Sequence, residues 1–438
     1  MPEKKFYPMA PSQALLYTGE IAGANSLLVR ESNIMGFSVD ATDNDHTSEE
    51  IADALEKAVN YFVRNNDTLR LRFCRKGLGW KQYVEPFEET CIERRPIESA
   101  ESFAAYMNET YVGKPNWKKD VLWIGVIGLL GEHEAILAMR VSHFAFDGYS
   151  FSLAYRRIKE AYQVYLRGET PVEKPAPSYL AYLDGIAAYK ASEQHKADAR
   201  FWLKANLSLK NYSFPAGYPA IREANSAVVR YLTPDVREKI GAAAAAAECS
   251  IAFFFECAVA LTVYKLTGKI CFNVSTLTHG RTKYTEKQTI GNMANSFSCF
   301  FRIEEGNLTD WIRRSYLQYL ENVGHSRFPA TEAIPFSWKE AFLHGMNFNM
   351  SWFLFSSLDF GSAKSDDGFV LATLPRVAQP YQLYGALLDA PDGKVELSLT
   401  YQRYKFKKEK AETFIDTFVD VITRMAADPD ADIRDVVK

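Results

Sequence analysis

The chain lacks any run of about eighteen uncharged apolar residues, the minimum for a membrane-spanning helix. Its nearest approach, Ser250 to Leu266, is short and interrupted by Glu256, so it reads as a helix buried in a core. The opening Met1-Pro-Glu-Lys-Lys-Phe6 has charges with no apolar stretch behind them, which sets aside a secretory leader and points to the cytoplasm. An excess of one charge is lacking too. A formal net charge of -3 and a pI near 6.2 offer no broad basic face, so neither nucleic acid nor a membrane is expected as a partner. Cysteines are few and unpaired in spacing: Cys74, Cys91, Cys249, Cys257, Cys271 and Cys299 show no Cys-x-x-Cys and read as small hydrophobes. The seven histidines are scattered singly, and no metal site is expected.

What is present is the composition of an ordinary globular protein, 47% hydrophobic and 24% charged, which argues against disorder. The 438 residues suit two domains of about 200 each. The densest proline stretch, Glu169-Thr-Pro-Val-Glu-Lys-Pro-Ala-Pro177, is too irregular for an element and marks a linker. We therefore expect domains over 1–170 and 216–438, joined through 171–215 by a linker and connecting helices. Thr47-Ser-Glu-Glu50 has the form of a capping box, followed by Ile51, Leu55, Val59 and Phe62 at helical spacing, then a strand at Leu69 to Phe73. Leu122 to Leu130 and Glu134 to Ser142 read as a hairpin about the charged turn between them. In the second half, strands are expected at 227–232, 270–276, 347–355 and 395–401. Helices are expected after Thr233-Pro-Asp235, through the alanines 242–247, and at 408–425. The aromatic content of 14% is assigned mainly to core packing.

Val141-Ser-His-Phe-Ala-Phe-Asp-Gly148 joins the end of a strand pattern to the start of a helix pattern, in which Phe151, Leu153, Ile158, Tyr162 and Tyr165 recur. His143 is thereby placed at a strand end, on rigid structure beside a cleft. An imidazole takes or gives a proton near neutral pH, while Asp147-Gly148 supplies a carboxylate and a backbone able to turn. On these eight residues alone, a hydrogen-bonded structural histidine competes with a catalytic one.

Several segments decide between them by resemblance. Tyr7-Pro-Met-Ala-Pro-Ser-Gln13 is similar to an opening proline-and-Gln motif, and Arg64-Asn-Asn-Asp-Thr-Leu-Arg-Leu-Arg-Phe73 to a helix-to-strand motif that normally has His after its Arg. The octapeptide matches His-His-x-x-x-Asp-Gly except at its first position. Gly280-Arg281, Ile290-Gly-Asn-Met-Ala-Asn-Ser296, Leu397-Ser-Leu-Thr-Tyr401 and Asp428-Pro429 follow in order. Together the segments resemble the condensation domains of nonribosomal peptide synthetases, within the chloramphenicol acetyltransferase-like superfamily. The resemblance implies an α/β fold of the α+β sandwich type, with two acetyltransferase-like lobes in a V about a central tunnel.

The resemblance further implies an acyl transferase that joins a thioester donor, an aminoacyl or peptidyl group on a carrier protein's phosphopantetheine, to an amine or hydroxyl acceptor. It implies no bound cofactor. His143 is the implied catalytic residue, as a base or as a hydrogen-bonding anchor, with Asp147 and Gly148. Asp147 is expected to be architectural, paired with an arginine of the first lobe; Arg70 is the first choice by resemblance, with a solvated strand-face arginine as the alternative. Gly148 is expected to let the backbone turn and to present its amide to an oxyanion. Gly280, Arg281 and Asn295 are expected to shape the tunnel floor. Ser142 stands in place of the first His and Asn65 in place of the earlier one. We assign Ser142 a supporting role at the tunnel mouth, with room for a larger side chain. Two rivals remain: a stand-alone transferase using coenzyme A thioesters, and a non-catalytic docking module that recruits a carrier protein or tailoring enzyme, the reading Ser142 favours. Asp359-Phe360-Gly361 is similar to a motif of plant acyltransferases but lacks the following Trp-Gly, and reads as a loop turn.

Overall fold

The computed structural model describes residues 4–22, 26–77, 79–207, 224–329, 332, 353–358, 368–374, 383–389, 394–403 and 406–438. The chain divides into two compact units. The first holds Met1–Ser192, Arg281–Ala294 and Phe360–Gln379; the second holds Glu193–Gly280, Asn295–Asp359 and Pro380–Lys438. The sequence expectation of contiguous domains missed these two returns of the chain to the first unit.

In the first unit, Thr47 caps the helix Ser48–Asn65 through a reciprocal box with Glu50, and the apolar stripe from Ile51 to Val63 is buried. A five-stranded sheet runs in the order Phe369–Thr373, Ile34–Thr42, Glu134–Ser142, Trp123–Leu130, Glu93–Pro96. The expected hairpin is there: Leu130 pairs with Glu134 and Trp123 with Val141. Strand alternation then sorts the central strand's side chains. Ala135, Leu137, Met139 and Val141 enter the main core with the helix Ser48–Asn65, while Ile136 and Ala138 meet Phe103 and Met107 on the other face. Arg140 falls on that second face, buried against Glu31 (2.6 Å) and Asn108 (2.7 Å). A small sheet of Tyr7–Pro8, Gly79–Val84 and Leu71–Lys76 completes the described strands of this unit. Residues 169–178 are irregular as expected, pinned by Tyr61 Oη to the Val172 carbonyl and by the Ala176 amide to the Asn65 carbonyl.

The second unit has a six-stranded mixed sheet in the order Asn295–Arg302, Cys271–Thr278, Phe353–Leu358, Leu383–Asp389, Val395–Tyr401, Ser226–Leu232. Its helix Ile251–Thr267 is buried continuously from Phe253 to Val263, and packs with Lys408–Ala427. No single helix among the described residues is long and apolar enough to cross a membrane. Pro234 opens its helix as expected, although Thr233 gives no side-chain cap bond. Of the strand expected at 347–355, residues 353–355 fall in Phe353–Leu358; its earlier part, like Asp359-Phe360-Gly361, lies outside the described residues.

Candidate active site

The central strand delivers Ser142 to the edge of the first unit's core, and a tight turn follows, closed by the Ala145 amide on the Ser142 carbonyl (2.9 Å). The turn residues Phe144, Ala145 and Phe146 are all fully buried. Phe144 stacks on Trp117 at 4.3 Å, and Phe146 lies edge-on to Phe151. Anchoring both phenylalanines inward leaves the histidine between strand and turn half-buried. Its amide is held by the Asn33 carbonyl (2.8 Å), and Gln13 of the opening motif donates to the Phe144 carbonyl (2.7 Å).

His143 Nδ1 lies 2.5 Å from the Phe146 carbonyl oxygen. A carbonyl only accepts, so Nδ1 carries the proton and Nε2 bears the lone pair in the neutral ring. The local fold thus sets the tautomer that general-base chemistry at Nε2 needs.

Asp147 does not touch that ring among its hydrogen-bond partners. It is the N-cap of the helix Gly148–Leu166, with Oδ1 accepting from the Ser150 amide (2.9 Å) and hydroxyl (2.8 Å) and Oδ2 from the Met293 amide (3.0 Å). Arg281 completes the set in a fork, Nη1 to Oδ2 at 2.8 Å and Nη2 to Oδ1 at 3.1 Å. Both side chains are at most 1% exposed. Burial alone pushes the Asp147 carboxyl up, but the Arg281 guanidinium and these hydrogen bonds hold it below the ordinary carboxylate value. Arg281 also donates to the Gly291 and Thr289 carbonyls, which closes its own segment on itself, while the Arg281 and Met293 bonds to Asp147 hold that segment against the turn. Gly291 is needed there: a Cβ would stand 2.3 Å from the Tyr179 ring.

The family model described as Condensation domain matches residues 37–437. The chain belongs to the condensation-domain family. Among curated relatives, a plipastatin synthase polypeptide of Bacillus subtilis (strain 168) is 20% identical over 63% of this chain and 11% of its own length. Surfactin synthase subunit 1 of the same organism is 21% identical over 75% of this chain and 9% of its own length. The chain thus spans about a tenth of these relatives. The solved first condensation domain of the calcium-dependent antibiotic synthetase shares the fold at a TM-score of 0.79, with 16% identity and 98% of each chain covered. The starter condensation domain of rhizomide synthetase does so at 0.76, with 18% identity and 98% of each chain covered.

Within this condensation domain the expected site residues separate. His143, Asp147, Gly148 and Ser142 come together in the strand-to-helix turn, joined by Arg281. Arg70 is a correction: it ends a 3-10 turn, Asp67–Arg70, rather than lying in a strand, and its guanidinium goes to the Glu85 and Arg64 carbonyls. Asp147 takes its arginine from 134 positions further along, and Arg281, expected only to shape a loop, is the partner. Gly148 is the first residue of the helix, without the left-handed backbone a sharp turn would require. Ser142 is also corrected. It is 1% exposed, its Oγ accepting from the Phe144 amide (3.3 Å), so the expected solvent-filled room is absent around it. Gly280 takes the left-handed turn (φ 67°) just before Arg281. Asn295 lies in the second unit, donating to the Ser326 and Phe328 carbonyls. Asn292, whose Nδ2 donates to the His143 carbonyl (2.7 Å), was missed. The only sequence signal for it was its place in the Ile290 to Ser296 motif.

Proposed function

We propose that this condensation domain transfers an acyl group from a carrier protein's phosphopantetheine thioester to an amine, or to a hydroxyl, forming an amide or ester. The observation that carries the reading is the Nδ1–H to Phe146 carbonyl bond, which assigns the lone pair to Nε2 of a half-buried histidine. The acceptor nitrogen attacks the thioester carbonyl carbon, forming the C–N bond. Nε2 of His143 takes the proton the nitrogen sheds, the C–S bond breaks, and the proton passes to the leaving thiolate. Proton handling of this kind contributes about 10²- to 10⁴-fold, and orientation of the two substrates adds several kcal/mol. Gly148, at the helix N-terminus, supplies an amide in the region suited to a developing oxyanion. Asp147 and Arg281 hold the turn and take no proton.

A second reading uses acyl coenzyme A in place of the carrier, favoured by the solved rhizomide synthetase starter domain in complex with C8-CoA, which shares this fold at a TM-score of 0.80. The test supplies acyl carrier protein and acyl coenzyme A separately with a panel of amines and alcohols, following product by mass. Turnover from the carrier thioester supports the first reading, and turnover from coenzyme A alone the second. Carrier binding with no product from either donor would leave a docking module. The same reading keeps a cytoplasmic site of action, checked by cell fractionation.

A further inference from the structure

We propose that Asn292 is a positioning residue for His143, fixing the histidine so that Nδ1–H stays on the Phe146 carbonyl; the proposal rests on the acyl-transfer reading above. The segment carrying Asn292 is fastened at four consecutive residues, all within the first unit. Thr68 Oγ1 donates to the Ile290 carbonyl (3.0 Å), and Ser150 Oγ accepts from the Gly291 amide (3.1 Å). The Asn292 carbonyl accepts from Ser12 Oγ (2.7 Å) and Tyr179 Oη (3.0 Å). Asp147 Oδ2 takes the Met293 amide (3.0 Å). Burial pushes the Tyr179 phenol well above its ordinary value, so it remains a donor at working pH.

This scaffold delivers one side-chain amide to the histidine. Nδ2 of Asn292 donates to the His143 carbonyl at 2.7 Å and stands 3.4 Å from ring Nδ1. With Asn33 on the amide and Phe146 on the ring, the residue is gripped at its backbone N–H, its carbonyl and its imidazole. The amide's orientation is unambiguous, because flipping it would set Oδ1 against the His143 carbonyl oxygen. In that orientation Oδ1 is buried with no partner among the described residues. An unsatisfied buried acceptor is destabilising, a penalty a leucine of similar shape would avoid. Set against the bond to the His143 carbonyl, that penalty leaves asparagine little net advantage in stability, whereas the grip on His143 gives it a role. The role of Asp147 also becomes specific: by holding Arg281 and Met293 it sets the segment in which Asn292, just before Met293, grips the histidine.

The test compares Asn292→Leu and Asn292→Ala with wild type in the full chain, by thermal unfolding, steady-state kinetics and hydrogen exchange of the His143 Nδ1 proton in ¹⁵N-histidine-labelled protein. Asn292→Leu removes the unpaired oxygen but also the bond to the His143 carbonyl, so it should melt close to wild type. Its kcat should fall about tenfold with KM for the acceptor unchanged, the signature of a misplaced group, and the Nδ1 proton should exchange at least tenfold faster. Asn292→Ala should repeat the kinetic and exchange effects, and serves alone if the leucine variant does not fold. Wild-type exchange and kcat in a folded variant would overturn the proposal. Absence of turnover by wild type would sink the acyl-transfer reading instead, while unchanged exchange would still refute the positioning role.

Discussion

Replacing Asp147 by alanine should be among the most destabilising single changes in the first unit. The carboxylate accepts from two Arg281 nitrogens, the Ser150 amide and hydroxyl, and the Met293 amide, at distances of 2.8 to 3.1 Å. Removing one member of a buried ion pair strands the other, at about 3–5 kcal/mol. Loss of the helix N-cap adds about 1 kcal/mol. Arg281→Met should lose a comparable amount, leaving the carboxylate with Ser150 and Met293 but no countercharge. The double variant strands neither charge, so its loss should fall short of the sum of the singles by at least about 2 kcal/mol. Chemical unfolding of the full chain at pH 7.5 measures all four proteins. Acid gives a second reading of the same pair. The folded carboxyl lies below its ordinary 3.8, so its contribution is present above that value and is lost as pH falls through the lower folded value. Wild type should therefore lose more stability below about pH 4 than the double variant does. Additive single losses, or identical acid sensitivity of wild type and double variant, would refute the pairing as the organiser of the turn.

Three further outcomes follow from other positions. His143→Ala should lower turnover by about two orders of magnitude or more and cost about 1 kcal/mol of stability, as the Phe146 carbonyl loses its donor; equal turnover in the folded variant would remove it from the mechanism. Ser142→His should lower stability by about 1–3 kcal/mol, because an imidazole must enter a site 1% exposed; an unchanged melting temperature would show that the turn has hidden space. Glu256, buried with Thr276 as its hydrogen-bond partner, has its carboxyl pushed by burial from 4.5 to about 7. The folded state then binds more protons than the unfolded one between those values, so stability should fall by about 3 kcal/mol from pH 4.5 to pH 7. Glu256→Gln should flatten that slope, and a retained slope would mean another group carries it.

The turn was legible in the sequence because its information is local. An apolar run ending at Ser142, two phenylalanines two apart, and Asp147 before a helical stripe each act within a few residues, so strand, turn and N-cap could be read together. The arginine was misassigned because a buried carboxylate specifies the charge and geometry of its partner, not that partner's position in the chain. Arg70 was nearer and lay in a motif, yet the 3-10 turn at Asp67–Arg70 directs it to backbone carbonyls. Arg281 reaches Asp147 only because Gly280 turns the chain and the segment through Ala294 folds into the first unit. The edge strand Phe369–Thr373, paired with Ile34–Thr42, was illegible for the same reason: strand pattern fixes which face is apolar, but not which distant strand completes the ladder. Asn292 was hidden more deeply. It stands in the Ile290 to Ser296 motif three residues before Asn295, and nothing in residue type separates the two asparagines. What separates them is their bonding: Asn295 ties two carbonyls of the second unit, while Asn292 donates to His143 and leaves its own oxygen buried and unpaired among the described residues. That penalty becomes visible only once the chain has folded, so the residue that best explains how the histidine is held is one that periodicity and motif spacing do not reveal.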